Sequence, residues 1–270
     1  MKKIFILLPH KEKFSKDKSG SASIWVKDFI KLSNFKKEIN VYGANVNKDN
    51  AAVKNIYNNI HIPELKYQSK TNIYLDKFKK FISKEQPKII EIHNRPNYLL
   101  DIYKNFPNIN YILIVHNDPL QLKGSTSVKD RIRLLNICSR IYFVSGWVEE
   151  KFFTNVEKNF YSNFKVIYPS INLLKKFPKK EKLIIFSGKL NKSKGFPTFG
   201  EAIIKILDKY KDWSAVVIGD EPREKYNFKH KKLKYLGWIP YEKVLKYFSR
   251  SSITVVPSNW AEPFGRTSLE

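Results

Sequence analysis

Leu183-Ile184-Ile185-Phe186-Ser187-Gly188-Lys189-Leu190-Asn191-Lys192-Ser193-Lys194-Gly195 is the stretch that decides the fold. Leu183–Ser187 is a short apolar run of strand length, and the polar segment after it is bounded by glycines. A helical stretch follows at Phe196–Lys209, with Phe199, Ala202, Ile203, Ile206 and Leu207 predicted on its inner face. Strand, glycine-bearing loop and helix in that order form the repeating unit of α/β folds with parallel sheets.

The same alternation runs through the whole chain. Upstream, strands are predicted at Ile4–Leu8, Ile39–Gly43, Lys88–His93, Asn110–Val115, Arg140–Ser145 and Lys165–Tyr168. Helices are predicted at Asn72–Lys84, at Val128–Cys138 and from Gly20-Ser21 onward, the last with Trp25, Phe29 and Leu32 on one face. The stretch Asn45–Gln68 yields no assignment. Downstream come strands Trp213–Gly219, Leu233–Leu236 and Ile253–Pro257, with a helix at Tyr241–Ser249. This pattern predicts two Rossmann-like halves, 1–172 and 182–270, joined by a Lys- and Pro-bearing linker at 173–181. The second half is short for an α/β domain of about 100–150 residues. It stops one turn into the helix expected after Ile253–Pro257, so a truncated second domain is expected.

Composition narrows the function classes. A 42% hydrophobic and 14% aromatic chain can pack cores, which excludes a disordered polyelectrolyte. The single cysteine, Cys138, excludes a disulfide framework and a cysteine-built zinc cluster. It lies in an apolar stretch and reads as core. The 50 basic residues against 25 acidic give +25, yet only seven are arginine, the residue sequence-specific nucleic-acid readers favour. The lysines are scattered, which fits either a solvated lysine-rich surface or a basic face held at anionic lipid. No specific nucleic-acid partner is expected. No run approaches the ~18 apolar residues of a membrane span, so a cytoplasmic protein is expected, with peripheral contact at the inner membrane face as an option.

In open parallel sheets ligands bind beyond the carboxyl ends of strands. Lys189 and Lys194 there flank a helix start, where free N–H groups and the dipole favour an anion such as a diphosphate. The spacing is not that of a P-loop, and two solvated loop lysines are the plainer reading. After Ile253–Pro257 comes Ser258-Asn259-Trp260-Ala261-Glu262-Pro263-Phe264-Gly265-Arg266-Thr267-Ser268-Leu269-Glu270. It sets two carboxylates seven residues apart across a loop-to-helix junction, with Gly265 permitting close backbone approach. Carboxylates so placed accept hydrogen bonds from sugar hydroxyls.

Glu262-Pro263-Phe264-Gly265 with Glu270 resembles the E-x7-E motif of retaining glycosyltransferases of family 4, which have the GT-B fold. Gly188-Lys189-Leu190 with Lys194-Gly195 is similar to that family's G-R-L…K-G loop. Ile218-Gly219-Asp220-Glu221-Pro222, Tyr235-Leu236-Gly237-Trp238-Ile239 and Ile114-Val115-His116-Asn117-Asp118 extend the resemblance over the chain. It implies two Rossmann-like domains facing a cleft, an N-terminal acceptor domain and a C-terminal domain for a nucleotide-sugar donor. It implies Glu262 and His116 at the transferred sugar, aided by N–H groups at Phe264 and Gly265. Glu270 would hold the donor ribose, and Gly188, Lys189 and Lys194 the diphosphate, with Gly20 and Ser21 approaching from the first half. The acceptor would be a saccharide or a lipid-linked species of the cell envelope, such as lipopolysaccharide. No cofactor and no metal are expected, since lysines and a helix terminus can carry the leaving group's charge.

Three positions depart from the family pattern. Lys189 replaces the usual Arg, Gly20-Ser21 the usual Gly-Gly, and Pro169-Ser170 the usual Asn-Gly. His93-Asn94-Arg95, at a strand end, reads equally as an acceptor contact or as a polar cap on the sheet. The five histidines do not cluster at metal-ligand spacing; His10 reads as structural or solvent-facing, and His61 and His230 as surface. Three rival readings are a degenerate relative that binds without transfer, a dehydrogenase lacking any G-x-G-x-x-G, and a nonspecific polyanion binder.

Overall fold

The computed structural model describes residues 3–12, 14, 19–44, 56–63, 69–171, 178–221 and 223–270. The chain divides into two compact units, Met1–Pro169 and Ser170–Glu270. The core of the expected linker, 173–177, and Pro222 lie outside the described residues.

Unit 1 contains β1 (Ile4–Leu7), α1 (Ser21–Leu32), β2 (Ile39–Gly43), β3 (Tyr57–Asn59), α2 (Lys70–Glu85), β4 (Ile89–His93) and α3 (Pro96–Tyr103). It continues with β5 (Asn110–Val115), α4 (Val128–Ile137), β6 (Cys138–Phe143), α5 (Gly146–Phe152) and β7 (Phe164–Val166). Its strands form one parallel sheet in the order β3-β2-β1-β4-β5-β6-β7. The order reverses beside β1, the switch point at which such sheets open a crevice. Phe5, Ile6 and Leu7 are fully enclosed, as a central parallel strand covered on both faces requires.

Unit 2 contains β8 (Glu181–Ser187), α6 (Phe196–Lys209), β9 (Ser214–Ile218), β10 (Leu233–Tyr235), α7 (Tyr241–Arg250), β11 (Ser251–Val255) and the short α8 (Arg266–Leu269). Its parallel sheet runs β10-β9-β8-β11. The two-residue period of a strand separates its cores. Ile184 and Phe186 point with Ala215 and Val217 to one face, where Phe196, Phe199, Ile203 and Leu207 of α6 cover them. Leu183 and Ile185 point with Val216 and Ile218 to the other, against Val244 and Phe248 of α7. Helices on both faces explain why β8 is apolar at almost every position.

Several expectations change. In α1 the sheet-facing residues are Ala22, Val26 and Ile30, one helical stride apart, while Phe29 is 43% and Leu32 74% exposed. The small and β-branched side chains allow close approach to the sheet; Trp25 packs partly against the same core, while Phe29 and Leu32 turn outward. In α6, Ala202 and Ile206 turn outward, and Phe196 and Gly200 join the buried face instead. Cys138 is not helical: it begins β6 directly after α4, enclosed in the core, and burial pushes its thiol pKa up. The last strand starts at Ser251, two residues early, with a register shift between Ser251 and Ile253. The unassigned stretch contributes edge strand β3, and α3 and α5 fill two further intervals between strands.

Candidate functional site

In unit 2 the loops that leave β8, β9 and β11 meet beyond the carboxyl ends of these adjacent strands. Gly188 donates its N–H to the Ile218 carbonyl at 3.0 Å. The neighbouring Gly219, at φ +122°, comes so close that a Cβ there would stand 1.9 Å from the Gly188 carbonyl oxygen. Gly195, in the left-handed region at φ +69°, opens α6, and a Cβ on it would lie 1.8 Å from the Pro257 carbonyl oxygen. Only glycine fits such contacts. The Asn259 N–H adds a hydrogen bond to the Ser193 carbonyl at 2.9 Å. The loop after β8 is shaped by Asn191, whose Oδ1 accepts from Ser193 Oγ and from the Lys194 N–H, both at 3.0 Å.

This packing brings Lys194 and Glu262 together. Lys194 Nζ donates to Glu262 Oε1 at 2.7 Å, the Ser258 hydroxyl donates to the same oxygen, and the ammonium stands 5.2 Å from the Trp260 ring centroid. Burial pulls the Glu262 carboxyl pKa up, but the hydrogen bonds from Lys194 and Ser258 and the lysine's charge outweigh it. The group is held below the ordinary carboxylate value and is an acceptor at neutral pH.

Glu270 sits in a second cluster of the same unit. Its Oε1 accepts from the Tyr241 hydroxyl at 2.7 Å and from Arg266 Nε at 3.1 Å, and Arg266 Nη2 donates to the Tyr241 oxygen at 3.1 Å. Gly265, at φ +74°, starts α8, with Phe264 just before it. Lys189 is exposed on the loop after β8. Its charge reaches Glu221, whose carboxyl is lowered to about 2 chiefly by hydrogen bonds from Arg223.

Unit 1 places its expected residues at the ends of β1, β4 and β5. Glu91 and His93 alternate onto one face of β4; Glu91 Oε1 lies 2.7 Å from His93 Nε2, and His93 Nδ1 lies 2.9 Å from His116 Nε2. Trp25 packs edge-on against both rings. His93 is 0% exposed, its ring enclosed between Glu91, His116 and Trp25. Asn94, at φ +55°, accepts the His116 and Asn117 N–H groups on its Oδ1 at 3.2 and 3.1 Å and thereby caps the sheet end. Arg95 is half-buried, with Nη1 donating to the Asn94 carbonyl at 2.7 Å. At α1 the Glu12 carboxylate accepts the Ser23 N–H at 3.1 Å and lies against Gly20. The helix start beside Gly20 and Ser21, where phosphate contact was expected, is thus occupied by the protein's own carboxylate.

Ser258, Asn191, Tyr241, Arg266 and Glu91 were not singled out from the sequence. Asn191 carried a local signal, an amide three residues before a helix-opening Lys-Gly; Tyr241 carried none, being 29 residues from its partner. Among the described residues no group of three His, Cys, Asp or Glu side chains is placed to hold a metal ion. Nor is any helix there long and apolar enough to cross a membrane.

Residues 174–270 match the family described as glycosyl transferases group 1. Spore coat protein SA of Bacillus subtilis (strain 168) is 21% identical over 243 residues, 78% of this chain and 62% of that one. The chain thus spans about three-fifths of the length of this curated relative. Among solved structures, sucrose-phosphate synthase from Thermosynechococcus elongatus superposes with a TM-score of 0.71 at 15% identity, over 97% of this chain and 77% of that one. HepE from Anabaena, in complex with UDP-glucose, gives 0.68 at 13% identity, over 97% and 76%. The fold is that of the GT-B glycosyltransferases, built from α/β units with parallel sheets.

Proposed function

We propose that this chain transfers a sugar from a nucleotide-sugar donor to an acceptor hydroxyl with retention of anomeric configuration, as family 4 enzymes do. The observation that carries the reading is the Lys194–Glu262 contact, formed where three strand-end loops of unit 2 converge. The half at 182–270, which lies in unit 2, is assigned the donor, and the half at 1–172 the acceptor. Glu262 accepts hydroxyls of the transferred sugar, Glu270 those of the ribose, and Lys189 and Lys194 neutralise the departing diphosphate. Gly188, Gly265 and Phe264 supply backbone approach to the donor. Gly20, Ser21 and His116 are assigned to its phosphates and sugar from unit 1, the first two only if the Glu12 carboxylate moves aside.

In this reading the acceptor oxygen bonds to the anomeric carbon on the face from which the diphosphate leaves. The acceptor's proton passes to a leaving phosphate oxygen. No protein nucleophile and no metal are required. A saccharide or lipid-linked acceptor of the cell envelope fits the relative called spore coat protein SA and the formal charge of +25, which suits the inner face of an anionic membrane.

Thermal stability of the chain titrated with nucleoside diphosphates and nucleotide-sugars tests the assignment. Saturable stabilisation is expected with one nucleotide, and its loss in Lys194→Ala and Glu270→Ala. No stabilisation by any of them refutes it. Stabilisation without product formation supports the alternative of a relative that binds but does not transfer. A glycosyl adduct on Glu262 in mass spectra refutes the direct displacement.

A further inference from the structure

Unit 1 holds a cavity of about 260 Å³ beyond the ends of β1, β4 and β5, at the switch point of its sheet. Its wall carries two cations, Arg95 and Lys123, among neutral hydrogen-bonding groups that include His10, Thr71, Tyr98 and Gln121. No carboxylate is among the described lining residues. Asp118, outside that lining, accepts from the Gln121 amide at 3.0 Å. Sites built for neutral polyols place carboxylates among their amides to accept hydroxyl protons; this wall offers donors and positive charge.

The wall is built rather than incidental. Arg95 is fixed by its 2.7 Å bond to the Asn94 carbonyl. The Asn97 N–H donates to the Lys123 carbonyl at 3.1 Å, and Gly124, at φ +90°, lies so near that a Cβ would stand 2.6 Å from Asn97 N. The loop carrying Lys123 is thereby locked to the first turn of α3. The His10 ring lies 2.6 Å from the Tyr98 hydroxyl. Burial holds the His10 pKa below its ordinary value, and Lys11, Arg95 and Lys70 push it the same way, so the field at this wall is positive from several directions.

We infer that this cavity binds the phosphate of a phosphorylated acceptor, placed between Arg95 and Lys123 with its polyol portion against the amides and hydroxyls. The inference rests on the transferase reading for the word acceptor, while the anion preference stands on the cavity alone.

The test uses the full chain saturated with whichever nucleoside diphosphate stabilises it, UDP being the first tried, so that the donor phosphates are already satisfied, and compares glucose 6-phosphate with glucose by calorimetry. Glucose 6-phosphate is expected to bind at least tenfold more tightly than glucose. Arg95→Gln and Lys123→Gln are each expected to weaken it at least tenfold while UDP affinity stays as in the parent chain. Lys123 is exposed, so its variant reports even where Arg95→Gln fails to fold. Equal affinity for glucose and glucose 6-phosphate, or glucose 6-phosphate binding indifferent to Lys123→Gln, overturns the inference. Glucuronate as a third ligand separates a phosphate site from a general carboxylate site, and equal binding of the two overturns the phosphate assignment. If UDP and the other nucleoside diphosphates fail to bind while glucose 6-phosphate binds, the donor assignment falls and the cavity assignment stands.

Discussion

Replacing Lys194 by Met removes the ammonium but keeps an unbranched stem to pack on Trp260. In the parent chain burial raises the Glu262 pKa, and Lys194 with Ser258 reverses the sign. Without the lysine, burial is opposed only by Ser258 and Trp260, so the carboxyl is expected to rise from below its ordinary value to above it. A charge-assisted hydrogen bond contributes about 1.5–3 kcal/mol. The two side chains are 28% and 21% exposed, and solvent screening reduces that to about 1–2 kcal/mol. The dependence on pH changes sign with it. In the parent chain the depressed carboxyl gives stability that is present above its unfolded value and lost as pH falls through the folded one. In the variant the raised carboxyl gives stability present below the unfolded value and lost as pH rises through the folded one. The gap between the two proteins therefore widens from about pH 3 to pH 6. Carboxyl 13C spectra of glutamate-labelled protein read the titration directly, and denaturant unfolding at both pH values reads the stability. A Glu262 carboxyl that titrates in Lys194→Met at or below its parent value would refute the reasoning.

Other substitutions probe different contacts. Gly195→Ala is expected to lose at least about 1–2 kcal/mol from the left-handed conformation alone, and more from the Pro257 carbonyl; a lowered denaturation midpoint with weakened nucleotide stabilisation checks it. Glu91→Gln keeps the shape of the β4 wall but replaces the carboxylate behind His93 and His116, so under the proposed function kcat is expected to fall about tenfold or more and its pH profile to change, with nucleotide affinity retained. An unaltered pH profile would show that Glu91 only packs. Cys138, enclosed and held as thiol by burial, is expected to react with a disulfide reagent no faster than unit 1 opens.

The strands that lie inside the sheets were legible because helices on both faces make them apolar throughout, as in Leu183–Ser187 and Ile4–Leu7. The edge strand β3 was not: Tyr57-Asn58-Asn59 is three residues long and two are amides, so no apolar run marks it. The face of α1 was misassigned for a related reason. The large apolar side chains of Trp25, Phe29 and Leu32 outweigh Ala22, Val26 and Ile30 in the sequence pattern, although close helix-to-sheet approach selects the smaller set. At the site, strand-end position alone singled out Lys194, Glu262 and Glu270. Their partners Ser258, Tyr241 and Arg266 depend on which loops touch, a property of tertiary packing that spacing does not encode. Burial of His93 likewise follows from Trp25 arriving from another element.

The contacts of Gly188 with Gly219 and of Gly195 with Pro257 are made by backbone atoms, with no side chain between them. At Gly219 and Gly195 such a junction has no graded set of variants, because alanine is already too large, whereas the Lys189 side chain beside it is exposed. Lys189 can therefore be exchanged for arginine, or for a neutral residue, without moving the loop that carries it. The architecture separates what holds the ligand-facing loops in place from what chooses the ligand. If the loops hold a nucleotide-sugar as proposed, donor preference can change through such side chains while the loop positions stay fixed, and an engineer altering it should leave Gly195 and Gly219 alone.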